Sequence, residues 1–588
     1  MSYSRRGFLT AVGATGGAGA LLATMGALGL APTAEAATGA SFVPPQPSDF
    51  TLTGRGAKKV VVLGAGIAGL ATAYELGKAG YDCTVIEALD RVGGRNWTIR
   101  GGDRITEIDG STQIARFSDG LYLNAGPARL AQWMVTVDYC RELGVDLEVF
   151  TNSNAQAYIF NEAAGMTAPV RWRTAKADVY GYISELLSTA TDAGALNGKL
   201  TADDKERLLT FLRGFGSIGT RASGFAYTGG ERRGYSTDPG AGEQPGTELG
   251  PVPSLSEVLA SGVGQRFSFE FGYDQAMLMF QPVGGMDAIP KAFAEAVGKH
   301  KILLRSKVTK ITDLADGVEV EYQDSHGRTR MIKADLCVAA MPPHILARTP
   351  HNLGPDVQAA LSTPVVTSSG KIGLEYRRRW WETDENIYGG ITNTDLDLSV
   401  LWYPSYGYGG RRGLVVGYYN NGANADAYAA LTHPQREKRA IEQGMKIHGA
   451  KYRDELVSSA SVSWKLQPNI EGAWVSWPSR LGGYQLLNRP AGHVHFAGDW
   501  LSYMGGRRHA RRPETTRTRR SPGRLQPGPL APTDQSCSHC AVRPAPPRPA
   551  RSTKHALFGN GDERGPHRMP PGRPAARATP ESALHLVL

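Results

Sequence analysis

Cysteine is scarce in this sequence, with five residues among 588. That number excludes a small domain held together mainly by disulfides. Cys83 and Cys337 lie in strand-like runs, where buried free thiols are expected. Cys537 and Cys540 have the spacing of a metal or redox pair, but the second pair that a structural zinc ion needs is missing, so we expect no metal site.

A long hydrophobic run occurs at only one place, near the amino terminus. Arg5 and Arg6 precede a stretch rich in Gly, Ala and Leu, and a small-residue cleavage site ends at Ala36. This layout is typical of a twin-arginine export signal, with an uncleaved membrane anchor as the alternative. We expect residues 1–36 to be that signal, the twin-arginine export machinery to be a partner, and the mature protein to be extracellular, periplasmic or in the cell envelope, without a stable membrane span.

A strong excess of one charge is also missing from most of the chain. The net charge is +10, but residues 507–588 alone contribute +11, so the other residues sum to about −1. A nearly neutral body gives no electrostatic reason to expect nucleic-acid binding. The length and the 41% hydrophobic content suffice for two or three packed domains.

The most informative segment is a β-α-β unit with a glycine-rich turn. Its strand, helix and strand are expected at residues 59–63, 67–79 and 83–87. The glycines of the turn are Gly64, Gly66 and Gly69. They let the backbone approach a pyrophosphate at the helix amino terminus, and Glu87 can accept hydrogen bonds from a ribose. The unit predicts a dinucleotide site, without distinguishing NAD from FAD.

A second glycine pair follows in the segment Arg91-Val-Gly-Gly94-Arg95. Its guanidinium groups and backbone can contact the phosphates of the same dinucleotide, whereas the alternative is an ordinary turn. With this segment the chain, over about residues 58 to 506, resembles the flavin amine oxidase superfamily, and most of all the bacterial L-amino-acid oxidases. The resemblance implies that FAD is the cofactor and that Arg91, Gly94 and Arg95 help to bind it.

Further cofactor-binding residues are implied by the same resemblance. Val308 matches the position whose backbone holds the adenine, and Ala128 and Arg129 lie in a segment of the flavin site. Gly498 and Asp499 match the closing motif, in which the carboxylate accepts a ribityl hydroxyl; an ordinary turn is the alternative.

Three residues are implied to act on the substrate. Arg129 matches the arginine that grips the substrate carboxylate with two parallel hydrogen bonds, or it is a structural ion-pair partner. Lys371 matches the lysine that holds a water near flavin N5, and Tyr418 the tyrosine that gives the carboxylate a second hydrogen bond. A strand lysine in solvent and a tyrosine packed in the core are the alternatives.

The expected fold is α/β. We predict a discontinuous Rossmann-type FAD-binding domain, a substrate-binding domain on a mixed sheet, and a helical insertion. Their boundaries are 58–96, 270–345 and 455–506 for the first, 97–150 and 346–454 for the second, and 151–269 for the third.

The implied reaction is the oxidation of an L-amino acid with O₂, which gives a 2-oxo acid, ammonia and hydrogen peroxide. A monoamine or polyamine oxidase of the same superfamily is the nearest alternative, with Arg129 then structural. A non-catalytic or damaged flavoprotein is the other. The partners are the amino acid or amine and O₂, with no nucleic acid, and a homodimer is possible.

The resemblance stops at Gly506. Where the family continues through an aromatic residue into a helix under the flavin, this chain has Arg507, Arg508 and a tail rich in Arg, Pro, Ala and Ser. Such a composition cannot bury an apolar face, so residues 507–588 are expected to be disordered. Our hypothesis is a frame-shifted reading of a GC-rich gene, and retranslation in the other two frames tests it.

Overall fold

The computed structural model describes residues 58–273 and 275–502. The predicted signal peptide (1–36), the predicted tail (507–588) and the Cys537–Cys540 pair all lie outside these residues. Within them, Cys83, Cys140 and Cys337 are buried free thiols, which confirms the prediction for Cys83 and Cys337.

A five-stranded parallel sheet, called the parallel sheet below, forms one layer of the fold. Its strands in spatial order are Ile302–Leu303, Asp82–Ile86, Lys59–Leu63, Leu336–Ala339 and Val494–Phe496. After Lys59 the central strand is a continuous apolar run of four buried residues, as a strand covered on both faces requires. The predicted β-α-β unit is confirmed, with the helix at Ile67–Lys78.

A seven-stranded sheet, called the mixed sheet below, forms a second layer. Its strands in spatial order are Leu456–Ser463, Ser369–Tyr376, Gly413–Asn421, Val400–Trp402, Ile391–Thr394, Tyr158–Phe160 and Val170–Arg171. The strand Ser369–Tyr376 lies between two long antiparallel neighbours and is buried along its whole length.

The remaining strands form smaller antiparallel sheets. One has three strands, at Lys307–Leu314, Gly317–Gln323 and Thr329–Ala334. The strand pairs are Leu147–Thr151 with Leu278–Pro282, Thr98–Ile99 with Leu123–Asn124, Arg104–Thr106 with Thr112–Ile114, Val365–Thr367 with Trp474–Ser476, and Tyr235–Thr237 with Thr247–Glu248. The last pair lies in residues 229–250, a glycine-rich and polar stretch whose composition predicts a loop.

The α-helices cover the sheets. In chain order they are Ile67–Lys78, Val135–Glu142, Trp172–Asp192, Ala202–Gly216, Leu255–Ser261, Ala288–Val297, Pro343–Leu346, Pro355–Ser362, Trp380–Thr383, Gly422–Ala429, His433–His448, Lys451–Asp454 and Gly483–Leu487. The sequence pattern over 179–215 is helical with mixed charge and predicts helix throughout. The structure has two helices there, because the chain turns at Gly194 and a new helix begins after Thr201, whose side chain accepts the backbone N–H of Asp204.

One predicted strand is divided between two sheets. The apolar pattern of residues 331–340 predicts a single strand, but Thr329–Ala334 belongs to the three-stranded sheet and Leu336–Ala339 to the parallel sheet. Asp335 makes the change of direction. Its backbone N–H donates to the carbonyl of Lys59 at 3.0 Å, and its carboxylate accepts the backbone N–H of Lys59 at 2.7 Å.

The described residues lack two kinds of feature. No helix in 58–273 and 275–502 is long and apolar enough to cross a membrane. The same residues contain no group of three or more His, Cys, Asp or Glu side chains that could hold a metal ion.

Candidate functional site

The first glycine turn lies between the central strand of the parallel sheet and the following helix. Gly64 has φ +103°, a conformation that L side chains rarely adopt. A Cβ atom on Gly69 would lie 1.9 Å from the carbonyl oxygen of Gly64, so only glycine allows the helix to pack this closely on the strand. A Cβ on Gly66, the first residue before the helix, would meet nothing within 4 Å. The helix amino terminus therefore faces open space, as a bound pyrophosphate requires.

The second glycine pair packs directly on the first turn. The backbone N–H of Gly93 donates to the carbonyl of Ala65 at 2.8 Å, and a Cβ on Gly94 would lie 3.6 Å from the Cα atom of Gly66. Two backbone turns without side chains thus meet at the helix amino terminus, which fits the passage of a dinucleotide between them.

Arg91 is held beside this pair. Its guanidinium donates to the carbonyl of Gly94 at 2.7 Å and lies 4.3 Å from the centre of the Trp97 ring. Burial lowers the pKa of Arg91 to about 10, which leaves the side chain positively charged at neutral pH. A fixed positive charge is thus available next to the predicted phosphate position.

Glu87 lies at the end of the second strand, as predicted. Its carboxylate accepts the backbone N–H of Ala65 at 2.7 Å and that of Leu89 at 2.8 Å. Burial raises the pKa of this carboxyl group. The carbonyl of Glu87 accepts the N–H of Ser306 at 2.7 Å, which brings the buried Val308 strand to the same end of the parallel sheet. The structure therefore brings together the residues predicted to bind the adenosine part of FAD.

The closing motif is brought to the same region through Arg95. The Arg95 guanidinium forms two hydrogen bonds with the Asp499 carboxylate, at 2.5 and 3.0 Å, and a third with the carbonyl of Ala473. Burial acts to lower the pKa of Arg95, but the Asp499 carboxylate raises it above its usual value. Gly498, with φ +146°, places Asp499 directly after the last strand. Arg95 and Asp499, predicted to contact different parts of FAD, contact each other here.

Arg129 and Lys371 meet at the ring of Trp402. The Cζ atom of Arg129 lies 4.5 Å from the ring centre, and the Nζ atom of Lys371 lies 4.9 Å from it. The three residues are 8%, 2% and 6% exposed, so the cations are held out of solvent. A cation over an indole face is attracted by the negative face of the ring. The predicted substrate-binding arginine and the predicted lysine therefore share one buried site.

The Lys371 ammonium group supports the loop that carries Arg129. It donates to the carbonyls of Asn124 and Gly126 at 3.0 and 2.5 Å. A Cβ on Gly126 would lie 1.9 Å from the carbonyl oxygen of Arg95, so this loop also packs tightly on the predicted flavin segment. The loop thus links the cofactor side of the site to Arg129, three residues further on.

Tyr418 does not lie with Arg129 and Lys371. In the pairing of strands Ser369–Tyr376 and Gly413–Asn421, Tyr418 lies opposite Ile372, whereas Tyr419 lies opposite Lys371. Successive side chains of a strand point to opposite faces, so Tyr418 faces the core, where its ring lies 4.5 Å from that of Tyr428. The expectation that Tyr418 joins the carboxylate site is therefore corrected.

Several residues at the site were not predicted. Trp402 and Phe150 contact the Arg129 guanidinium, Gln275 accepts from it at 3.3 Å, and the Tyr419 ring lies 4.8 Å from Lys371 Nζ. Ala128 is buried in the same apolar cluster as Phe150 and Trp402, so its contact with the cofactor stays a prediction. Of these residues, Tyr419 is the one that the sequence could have suggested. It is adjacent to Tyr418, and successive residues of a strand face opposite sides, so one of the two tyrosines had to face the site.

The fold and these turns define a dinucleotide-binding protein, and comparison with known proteins assigns the family. The chain belongs to the flavin containing amine oxidoreductase family, whose sequence model matches residues 67–511. It is therefore a flavin-dependent oxidoreductase of small amine substrates, with FAD as the cofactor and O₂ as the acceptor.

Individual relatives agree with this assignment. L-amino-acid oxidase BjussuLAAO-I of Bothrops jararacussu is 25% identical over 466 residues, which cover 76% of this chain and 87% of that protein. The L-amino-acid oxidase of Pseudechis australis is 26% identical over 470 residues, covering 76% and 83%.

Solved structures share the fold. Cyclohexylamine oxidase from Brevibacterium oxydans IH-35A has a TM-score of 0.50 at 19% identity, covering 77% of this chain and 96% of that one. Wild-type putrescine oxidase bound to putrescine has a TM-score of 0.50 at 21% identity, covering 76% and 94%.

The residues present fit FAD. Its pyrophosphate suits the open space over Gly66, the point where Gly66 meets Gly94 without side chains, and the positive charge of Arg91. Its adenosine suits the end of the parallel sheet that carries Glu87. When bound, FAD supplies the two-electron oxidation of the substrate carbon–nitrogen bond. The protein's part is to orient the substrate and to exclude water.

Proposed function

We propose that this protein oxidises an L-amino acid, and that Arg129 selects the substrate by binding its carboxylate. The observation that carries this proposal is the burial of the Arg129 guanidinium at a ring it shares with Lys371. A planar guanidinium binds a carboxylate through two parallel hydrogen bonds, and these are stronger where water is excluded. An amine substrate has no group that would use them.

The surroundings of Arg129 support a role in substrate orientation. The rings of Phe150, Phe269 and Trp402 lie 6.0, 5.6 and 4.5 Å from its Cζ atom, and the side-chain oxygen of Gln275 accepts from Nη2. The guanidinium is planar, and these contacts limit its movement. A carboxylate bound in that plane has a fixed direction, which in turn fixes the direction of the Cα–H bond to be broken.

Lys371 contributes as a positioning residue in this proposal. Its ammonium group donates hydrogen bonds to the carbonyls of Asn124 and Gly126, and these bonds hold the loop that precedes Arg129 against the mixed sheet. A water held by Lys371 near the flavin, as the resemblance implies, stays part of the proposal. The products would be a 2-oxo acid, ammonia and hydrogen peroxide.

Export completes the proposal. The twin-arginine signal suggests that the enzyme folds around its cofactor before it leaves the cytoplasm. The residues involved lie outside those that the structure describes, and a homodimer stays a prediction. Replacement of Arg5 and Arg6 by Lys should leave the protein in the cytoplasm, which fractionation of the host cells measures.

The proposed selectivity is tested by Arg129→Ala in the purified, FAD-loaded enzyme. Peroxide formation is measured with a panel of L-amino acids and with the amines that lack only the carboxylate. We expect kcat/KM for the best amino acid to fall about 100-fold, because the loss of two charge-assisted hydrogen bonds costs about 3 kcal/mol. Activity on the amine should not fall. Arg116→Ala removes an exposed arginine and serves as the matched control.

Two results would contradict the proposal. If the wild-type enzyme prefers the amine and Arg129→Ala changes nothing, the protein is a monoamine or polyamine oxidase and Arg129 is structural. If the purified chain has no flavin absorbance, it is a non-catalytic or damaged member of the family. In that case a variant with a repaired carboxyl terminus would show whether residues 507–588 are the cause.

A further inference from the structure

Trp402 is the residue on which the two buried cations converge. It is the last residue of the strand Val400–Trp402, and it pairs with Val416 on one side and Ile391 on the other. Its ring is also fixed in orientation by two edge contacts. The ring of Tyr419 lies at 5.2 Å and 88°, and that of Phe150 at 5.8 Å and 70°.

The indole N–H of Trp402 has no hydrogen-bond acceptor among residues 58–273 and 275–502. The side chain is only 6% exposed, so solvent does not satisfy this donor. A buried donor without an acceptor costs free energy and is uncommon in folded proteins. Because Cζ of Arg129 lies 4.5 Å from the centre of the same ring, this donor belongs to a side chain that adjoins the place where the substrate carboxylate is proposed to bind.

We propose that Nε1 of Trp402 donates a hydrogen bond to the substrate carboxylate held by Arg129. This inference rests on the function proposed above. A carboxylate has about four lone-pair positions, and a guanidinium fork uses two of them, so a third donor can be accommodated. Trp402 would then give the contact that the sequence assigned to Tyr418, whose side chain faces the core.

The inference predicts a specific effect of Trp402→Phe. Phenylalanine keeps an aromatic face for Arg129 and Lys371 but removes the N–H donor. We expect the Kd of benzoate, measured by its perturbation of the FAD absorbance spectrum, to rise about tenfold, which is the effect of losing one hydrogen bond to a charged group. KM for the best L-amino acid should rise by a similar factor, with activity on the matching amine unchanged.

Trp381→Phe is the matched control. Trp381 is fully buried, the Cζ atom of Arg379 lies 5.3 Å from its ring centre, and its Nε1 atom also has no acceptor among the described residues. Arg379, however, forms a buried ion pair with Glu382 and takes no part in the proposed site. Benzoate should bind to this variant as it binds to the wild type.

The outcomes separate this inference from the function on which it rests. Benzoate binding that is unchanged in Arg129→Ala overturns both. A loss of binding in Arg129→Ala together with a Kd within twofold of wild type in Trp402→Phe overturns the role of Trp402 alone. Should Trp402→Phe fail to retain FAD, Trp402→Tyr decides the question. This variant keeps a ring with a donor, so a Kd within threefold of wild type supports the inference and a tenfold rise overturns it.

Discussion

At the scale of single residues, the site depends on which face of a strand each side chain occupies. A register shift in the pairing of Ser369–Tyr376 with Gly413–Asn421 places Val416 opposite Gly373 and Tyr418 opposite Ile372, so Gly417 is an extra residue. Such a bulge reverses the alternation along the strand. As a result Lys371, Val416 and Tyr419 share a face, and Tyr418 lies on the other.

This arrangement predicts different effects for the two neighbouring tyrosines. Tyr418→Phe should change KM for an L-amino acid less than twofold, since its ring packs with Tyr428 in the core. Tyr419→Leu removes a ring that contacts both Lys371 and Trp402, and it should raise KM at least fivefold. Steady-state kinetics with one amino acid measures both. A larger effect from Tyr418→Phe would restore the original assignment.

The sequence predicted part of this site and could not predict the rest. Arg129 and Lys371 could be found because each lies in a local segment that matches a family motif. Trp402, Phe150 and Gln275 come from separate segments that meet only after folding, and no local pattern marks them. The choice between Tyr418 and Tyr419 depended on a bulge whose sequence signal, Gly417, is compatible with an ordinary strand.

At the scale of secondary structure elements, the glycines of the first turn have two different roles: Gly69 is needed for folding and Gly66 for cofactor binding. Gly69→Ala places a Cβ atom 1.9 Å from a carbonyl oxygen, whereas Gly66→Ala places one in open space. The first change should therefore destabilise the packing of the helix on the parallel sheet by about 1 to 3 kcal/mol, as overpacking does. The second should leave the fold intact and obstruct the pyrophosphate position.

Thermal unfolding and a FAD titration of the apoprotein measure the two effects. Gly66→Ala should unfold at the wild-type temperature and bind FAD at least tenfold more weakly, whereas Gly69→Ala should lower the unfolding temperature. Gly77→Ala, in an exposed turn of the same helix, is the control and should stabilise by about 0.5 to 1 kcal/mol. Unchanged FAD affinity in Gly66→Ala would contradict the assignment of this turn.

The elements that the sequence predicted well are those with strong local patterns. The strand Lys59–Leu63 has four consecutive apolar residues followed by Gly64, and the helix after it has regular apolar spacing. The prediction of one strand over residues 331–340 was wrong, because the two strands that share these residues have the same apolar character and no local pattern marks the boundary between them. The change of sheet at Asp335 is set by its hydrogen bonds to Lys59, 276 residues away in sequence.

At the scale of the whole molecule, buried ionisable groups make stability depend on pH. The side chain of His448 is fully buried. Its Nε2 atom forms a hydrogen bond with the Tyr403 hydroxyl at 2.8 Å, and its Nδ1 atom lies 3.5 Å from the Glu385 carboxylate. Burial lowers the pKa of His448 and also that of His433. Burial acts to raise the pKa of Glu385, but the interactions of its carboxylate with His448, Lys451 and Tyr158 lower it overall.

Both kinds of shift have the same sign for stability. A histidine with a lowered pKa binds fewer protons when folded than when unfolded, so stability falls as the pH drops below about 6.5. A carboxylate with a lowered pKa loses its contribution at still lower pH. We expect the unfolding temperature to be clearly lower at pH 5 than at pH 7.5. In His448→Gln the difference should be smaller, and an equal difference would contradict the role of His448.

The central proposal is that the protein oxidises a substrate because that substrate carries a carboxylate. The most direct measurement is the anaerobic reduction of the bound FAD, followed by absorbance, with the best L-amino acid of the panel and with the amine that differs from it only in lacking the carboxylate. We expect rapid bleaching of the flavin band by the amino acid and slow or no bleaching by the amine. Faster reduction by the amine would contradict it.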